Sequence, residues 1–305
     1  MRVLVAGASG AIGRPLVAEL IRHGHQVTGI SRSAAKLNHL AALGATILEV
    51  DVFDAAAVER ALRHSQAEAV IDELTSLPPT PAEIGKALPG DRKVRLEGGG
   101  NLHRAAQSAG VRRYLQQSSG FFLKPASDSV SGLATESDPL AIDAGGNVAV
   151  SATMYKQIEE RLFSTSAPAG TALRYGFFYG PGTWYHREGA AADQVRNGQF
   201  PIVGEGSGVW SFVHVEDAAA ATVAALAAEP GIYNVTDSDP LPVARWLPEF
   251  CRWVDAPAPP RVSVEDALTA AGTDAIYYGT KIRGASNEKA RKALNFHPRR
   301  LEWLS

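Results

Sequence analysis

Seven residues near the start of the chain, Gly7-Ala8-Ser9-Gly10-Ala11-Ile12-Gly13, lie between an apolar run, Arg2 to Ala6, and an amphipathic stretch that opens at Gly13. A buried strand that must turn into a helix across three glycines has few solutions. Gly7 permits the tight turn and Gly13 lets helix and strand pack closely. Gly10 leaves Ser9, Ala11 and Ile12 in a loop whose backbone can approach a pyrophosphate with no Cβ in the way. The helix N-terminus adds free amide donors and the positive end of its dipole. A dinucleotide is the expected ligand. The spacing is G-x-x-G-x-x-G, one residue longer between the first two glycines than G-x-G-x-x-G, which assigns the loop to another branch of Rossmann proteins.

The end of the second apolar run decides which dinucleotide. An NAD site places Asp or Glu there on the ribose 2′-hydroxyl, but this chain has Ser31-Arg32-Ser33. The Arg32 guanidinium can pair with a 2′-phosphate and stack on adenine, with Ser31 and Ser33 offering hydroxyls. NADP is therefore expected over NAD, which is the alternative. By strand order, Asp51 and Val52 fall beside the adenine, and Leu74 and Thr75 flank the ribose and nicotinamide.

Along the first half, short aliphatic runs alternate with alanine-rich amphipathic stretches, the pattern of a parallel sheet covered by helices. Strands are expected at Arg2 to Ala6, Gln26 to Ser31, Thr46 to Val50, Ala69 to Asp72, Arg113 to Gln117 and Thr171 to Tyr175. Helices are expected near Gly13 to His23, Ala34 to Leu43, Asp54 to Arg63, Leu96 to Ala109 and Ser151 to Ser164. The fold class is α/β, a Rossmann-type doubly wound parallel sheet with a smaller C-terminal substrate lobe. Residues 1–176 form the dinucleotide domain. The chain returns to it at about 209–235 through a strand at Val209 to Val215, a helix at Glu216 to Ala228 and a strand at Gly231 to Val235. Residues 177–305 form mainly the substrate lobe. Phe177 to Gly208, rich in glycine and aromatics with a helix near Gly189 to Asn197, is long enough to be a functional loop. Its Trp184-Tyr185-His186 reads as a substrate wall, with a packed core cluster as the competing view.

Other classes are excluded by what the chain lacks. With 30 basic and 32 acidic residues the net charge is -2, which supports neither a nucleic-acid groove nor a polybasic membrane anchor. No signal peptide or membrane span is expected. One cysteine, Cys251, forms no internal disulfide and fits a reducing compartment, so a cytoplasmic location is expected. No zinc motif, G-x-S-x-G elbow or Walker loop is present, and no metal site is expected.

With those residues in hand, the chain resembles the extended short-chain dehydrogenase/reductase superfamily, in particular the NAD-dependent epimerase/dehydratase family. The resemblance rests on Gly7 to Gly13, Asn101-Leu102, Ser118-Ser119, Leu173-Arg174-Tyr175-Gly176, Tyr179-Gly180-Pro181-Gly182, Phe212 to Asp217, Tyr233-Asn234-Val235 and a closing segment from Ser286 to Pro298. It implies hydride chemistry on a carbinol carbon, with Tyr175, Gly176 and Phe177 beside the cofactor. It also implies a catalytic serine at Ser119, with Ser118 next to it, and a lysine at Lys156 that holds the ribose. The family tyrosine four residues before that lysine has no match, since Ala152 stands there. The proton donor is then Tyr155 on a shifted helix, or Tyr175, Tyr179 or Tyr185, or His186 or His214. His214 is also a candidate for a helix start ahead of Glu216-Asp217.

Three functions fit these residues. The first is an NADP-dependent oxidoreductase acting on a small carbonyl or hydroxyl compound. The second is a nucleotide-sugar epimerase or dehydratase, for which Arg187, Arg196 and Arg283 are available to grip a diphosphate. The third is a dinucleotide-sensing protein without turnover. The resemblance also implies a homodimer through the helices at Leu96 to Ala109 and Ser151 to Ser164.

Overall fold

Strands that are covered on both faces must be apolar almost throughout, and the first half of this chain supplies them. The computed structural model describes residues 1–126 and 132–304. In chain order the first half comprises β1 (Arg2–Ala6), α1 (Gly13–Arg22), β2 (Gln26–Ser31), α2 (Asn38–Ala41), β3 (Thr46–Glu49), α3 (Ala55–Ser65), β4 (Ala69–Asp72), α4 (Ile84–Lys93), α5 (Gly99–Ser108), β5 (Arg113–Ser119), α6 (Gly146–Phe163) and β6 (Ala169–Tyr175). All of β4 is buried, as is β1 after Arg2. The helices bury one stripe each, Leu16, Val17 and Leu20 on α1 and Val58, Ala61 and Leu62 on α3.

The second half is more broken: β7 (Phe177–Tyr179), α7 (Ala190–Arg196), β8 (Ile202–Val203), β9 (Val209–Trp210), β10 (Phe212–His214), α8 (Val215–Ala225), β11 (Gly231–Val235), β12 (Leu241–Pro242), α9 (Val243–Trp253), β13 (Arg261–Val262), α10 (Val264–Ile276) and α11 (Glu288–Ala293). The main sheet has seven strands in the order β11-β6-β5-β4-β1-β2-β3, all parallel. Its order reverses between β1 and β4. Chain leaving β1 runs outward through β2 and β3, and chain leaving β4 runs the other way, so a crevice opens at the carboxyl ends of these two strands. The glycine loop and Glu73-Leu74-Thr75 meet there. Among the described residues no helix is long and apolar enough to cross a membrane.

The helix expected at Ser151 to Ser164 begins earlier, at Gly146, and three other expected elements differ more. The helix at Ala34 to Leu43 is a 3₁₀ turn, Ala34–Leu37, followed by the single turn of α2, with Leu37 and Leu40 as its buried anchors. The helix at Leu96 to Ala109 starts much earlier. Thr80 accepts from the Ala82 amide (3.1 Å) with Pro81 at the first position, and α4 runs through Pro89 into a π turn, Val94–Gly98, that leads into α5. Pro89-Gly90 reads as a break in sequence, but the chain accommodates it within the helix. The strand at Val209 to Val215 is two strands in two sheets. β9 pairs antiparallel with β12 and β10 pairs parallel with β7, because the chain changes partners at Ser211. The Ser211 carbonyl accepts from the Phe177 amide (2.9 Å) and its Oγ from the Ala285 amide (2.9 Å).

Candidate active site

The glycine loop has the form its composition predicts. Gly7 has φ +83, and a Cβ there would fall on the Glu73 carbonyl oxygen; one on Gly13 would fall on the Gly7 carbonyl oxygen and the Ala8 backbone. Gly10 donates its amide to the Gly7 carbonyl (2.9 Å), and a Cβ there would meet that oxygen alone, at 3.2 Å. Two glycines are therefore required by packing, and the third leaves an open face. Behind it α1 starts at Ile12 with no side-chain cap and no acid in its first turn, so its leading amides and dipole are left to an anion. This cradle fits a dinucleotide diphosphate. The Arg14 guanidinium flanks it, donating to the Ser9 carbonyl (3.2 Å).

Around the crevice lie the other residues expected to contact a cofactor. Arg32 is exposed at the end of β2, with Ser31 and Ser33 half-buried beside it and Glu49 of β3 in register with Ser31. Asp51 accepts from the Phe53 amide (3.0 Å), and Val52 is buried with its carbonyl held by Asn101 Nδ2 (2.9 Å). The Leu74 amide donates to Asp72 Oδ1 (3.1 Å). Thr75 gives its hydroxyl proton to Asp91 Oδ1 (2.8 Å), which also takes the Ser76 amide (2.6 Å). Gly176 lies where a Cβ would meet the Ser211 carbonyl oxygen at 2.6 Å, so β6 continues into β7 by close backbone approach.

The two serines behave differently. Ser118 is pinned, its Oγ donating to Glu159 Oε1 (2.7 Å), and Glu159 in turn holds the Arg174 guanidinium through two bonds of 2.8 Å. Ser119 is buried and, among the described residues, accepts only a long bond from the Phe121 amide (3.4 Å) and donates to none.

On α6 the helix phase separates neighbours. Val148, Ser151, Ala152, Tyr155, Ile158, Glu159 and Leu162 face inward. Lys156 does not join them: it is exposed on the outer face and ion-paired with Glu160. Adjacent residues lie about 100° apart on a helix, so Lys156, for which the resemblance implies a ribose contact, is not turned inward with Tyr155. Tyr155 points in, against Phe122 (5.7 Å) and beneath Arg95, whose guanidinium carbon is 5.3 Å from the ring centroid. Burial pushes the Tyr155 phenol up to about 12, with Arg95 opposing the rise.

Sequence reasoning missed Arg95. It is buried, donates to Asp91 Oδ2 (2.8 Å) and Gln117 Oε1 (2.8 Å), and so ties Tyr155 to the Thr75 loop and to β5. The early start of α4 hid it. It also missed Glu73, whose Oε1 lies 3.0 Å from the Tyr175 hydroxyl; that hydroxyl lies 2.6 Å from Thr222 Oγ1, which gives its own proton to the Ala218 carbonyl (2.7 Å). With the Thr222 proton committed, the chain closes when Glu73 is protonated and donates to Tyr175. Burial agrees, pushing the Glu73 carboxyl up to about 8. Tyr175, with its hydroxyl committed here, is not free as a proton donor.

The expected substrate wall divides. Trp184 is half-buried and donates Nε1 to the Pro78 carbonyl (3.2 Å), joining the loop after β7 to the loop after β4. Tyr185 is buried edge-on against Phe177, Trp210, Phe212, Trp246 and Phe250. Phe177 is stacked between Phe121 (4.2 Å) and Trp210 (4.0 Å). His186 closes a local turn by accepting from the Glu188 amide (3.4 Å). Of the roles offered for His214, proton donor, substrate contact or helix start, the structure shows the helix start: its Nδ1 accepts from the Glu216 amide (3.2 Å) and its ring lies edge-on to Tyr179 (5.0 Å). Burial lowers its pKa and keeps it neutral, as an acceptor must be.

The NAD dependent epimerase/dehydratase family model matches residues 3–236. A 3-diazoavenalumate denitrifying reductase from Streptomyces is 39% identical over 305 residues, covering 99% of this chain and 98% of that protein. Among solved structures, a dTDP-glucose 4,6-dehydratase from Streptomyces venezuelae shares the fold with TM-score 0.76 at 20% identity, covering 99% of this chain and 93% of that one. A Thermus thermophilus UDP-glucose 4-epimerase in complex with NAD does so with TM-score 0.70 at 24% identity, covering 99% and 96%. The glycine cradle, the seven parallel strands and this match agree, and the chain belongs to the NAD dependent epimerase/dehydratase family.

Proposed function

We propose that the protein is an NADP-preferring reductase acting on a small organic substrate. The observation that carries this reading is the uncapped, Cβ-free cradle at Gly7 to Gly13, set at the same crevice as Thr75, Ser119 and an inward-facing Tyr155. The name of the Streptomyces relative, a reductase of a diazo acid, supports reduction over the family's other chemistries. The amides of Ser9 to Ile12 and the start of α1 hold the diphosphate, and Ser31, Arg32 and Ser33 take the 2′-phosphate. Asp51 and Val52 border the adenine, Leu74 and Thr75 the ribose. When bound, NADPH supplies hydride to the substrate. Ser119 orients the substrate oxygen, and Tyr155 holds a proton on its hydroxyl and gives it up as charge develops on that oxygen. Its high pKa keeps the proton in place beforehand, and Arg95 offsets the phenolate charge once it leaves.

The nucleotide-sugar reading is the weaker one because its arginines are occupied. Arg187 lies over Trp253 (4.8 Å), Arg196 donates to the Val254 carbonyl (3.2 Å), and Arg283 holds Asp138 (2.9 Å) and the Gly132 carbonyl (2.8 Å). A homodimer through α5 and α6 belongs to the same proposal, since Val150 and Phe163 leave exposed apolar surface on α6. The test is a titration with NADPH and NADH beside Arg32→Ala, followed by transfer of deuterium from C4-labelled NADPH. NADPH binding that drops tenfold or more in Arg32→Ala, as loss of a charged hydrogen bond requires, supports the reading. Equal binding of both cofactors removes the NADP preference, and binding without label transfer to any product leaves a dinucleotide sensor.

A further inference from the structure

A cation is disfavoured in the first turn of a helix, where the peptide dipoles already present positive charge. α1 nevertheless begins Gly13-Arg14, with no side-chain cap and no acid in its first turn. Its two arginines are treated differently. Arg22 lies in the last turn, where a cation is favoured, and pairs with Glu19 (2.6 Å). Arg14 is exposed, and its Nε donates to the Ser9 carbonyl (3.2 Å) while neither Nη has a hydrogen-bond or ion-pair partner among the described residues. One nitrogen thus steers the guanidinium onto the glycine loop and leaves the other two to donate. A fork held this way, at the helix end its charge opposes, calls for an anion beside that loop.

A dinucleotide brings two kinds of anion to this region, its diphosphate and, in NADP, a 2′-phosphate. The loop amides and the start of α1 serve the first. The position of Ser9 points Arg14 to the second. A Cβ added to Gly29 of β2 would meet the Ala8 Cβ at 3.2 Å, so the Ala8-Ser9 flank of the loop lies against β2. β1 and β2 are parallel neighbours with Ala6 opposite Ile30, and they end level, one running into Gly7-Ala8-Ser9 and the other into Ser31-Arg32-Ser33. Past Arg32 the chain turns back onto the face that α1 covers, where Leu37 and Leu40 join Leu16 and Val17 in one buried cluster. Arg14, just ahead of Leu16, and Arg32, just ahead of the turn that carries Leu37, therefore border the same stretch of surface beyond β2. Arg32 is exposed there and, like the Arg14 Nη groups, has no partner among the described residues. Glu49 of β3, in register with Ser31, brings a carboxylate to the same edge, which raises the need for a second cation before a phosphate dianion is held.

We propose that Arg14 is a second cofactor-specificity residue, whose guanidinium pairs together with Arg32 with the 2′-phosphate of NADP. The inference rests on the NADP preference proposed above, and the contribution of Arg14 is measured separately from it.

The experiment is calorimetric titration of the whole protein with NADPH, NADH, adenosine 2′,5′-bisphosphate and 5′-AMP. The same set is run on Arg14→Gln, Arg14→Lys and Arg32→Ala, and on Arg22→Gln as an arginine of the same helix away from the loop. Arg14→Gln should weaken NADPH and the bisphosphate by roughly tenfold, the loss of a charged hydrogen bond, and leave NADH and 5′-AMP unchanged. Arg14→Lys, which keeps the charge without the fork, should lose less, and Arg22→Gln nothing. Unaltered NADPH binding in Arg14→Gln overturns the assignment. So does an equal loss of NADPH and NADH, which places Arg14 on the diphosphate. An NADPH preference that Arg32→Ala abolishes and Arg14→Gln keeps sinks this inference and spares the NADP reading; equal binding of NADPH and NADH by the unaltered protein removes both.

Discussion

Glu73→Gln isolates the protonation of the carboxyl beneath the glycine loop. Glu73 is 2% exposed, its Oε2 has no partner among the described residues, and burial raises its pKa from 4.5 to about 8. In the unfolded chain the same group ionises near its ordinary value, so between these two pH values the native state holds a proton that the unfolded state has lost. Stability from this group is therefore complete below pH 4.5 and is lost as pH rises toward 8. The full displacement corresponds to about 5 kcal/mol, and relaxation around a buried charge brings the expected figure to about 2–4 kcal/mol. Glutamine keeps the shape and the donor toward Tyr175 but does not titrate. Urea unfolding of both proteins from pH 5 to pH 9 should give curves that diverge as pH rises, with the glutamine protein gaining relative to wild type. Because Asp237, pushed up to about 7 by burial, titrates in both proteins, its contribution cancels in the difference. Parallel curves, or a glutamine protein that loses ground with pH, would refute the protonated Glu73 and the hydrogen-bond order drawn through Tyr175 and Thr222.

Other consequences are quicker to check. Lys156→Ala should leave turnover and NADPH affinity unchanged, whereas Tyr155→Phe should cut kcat by about a hundredfold or more with little change in cofactor affinity, both read in steady-state assays. Glu159→Gln leaves the buried Arg174 charge uncompensated and should cost about 3–5 kcal/mol in denaturant unfolding. His103, buried and edge-on to Tyr114 (4.9 Å), has its pKa lowered to about 4 by burial. Its contribution is present above the ordinary pKa of 6.5 and is lost as pH falls toward 4, so His103→Gln should flatten the acid limb of the stability profile.

Much of the sheet is legible because a strand covered on both faces has to be an apolar run, and β1, β2, β4 and β11 have the limits those runs imply. The glycine loop is legible for a similar reason: Gly7 and Gly13 are fixed by atoms a few residues away or directly beneath. The catalytic side is harder to read. Tyr155 and Lys156 are adjacent, and only the set of α6 residues that covers the sheet decides which of them turns inward. Arg95 lies behind Pro89-Gly90, a pair that signals a helix end although α4 runs through it. Ser118 looks as available as Ser119 until Glu159, far along the chain, claims its proton. Such contacts are made by tertiary packing and leave no local pattern.

The Glu159–Arg174 clamp fixes more than a strand to a helix. Glu159 lies one turn beyond Tyr155 on the same line of α6, so the two bonds to Arg174 act as an index pin on a rotor. Were the pin withdrawn and the helix free to turn by about 100°, an ammonium would replace a phenol at the crevice. The face that α6 turns inward is thus fixed by a pair of charges as well as by its apolar stripe, and substitutions at Glu159 or Arg174 bear on which side chain faces the crevice while Tyr155 and Lys156 both stay in the sequence.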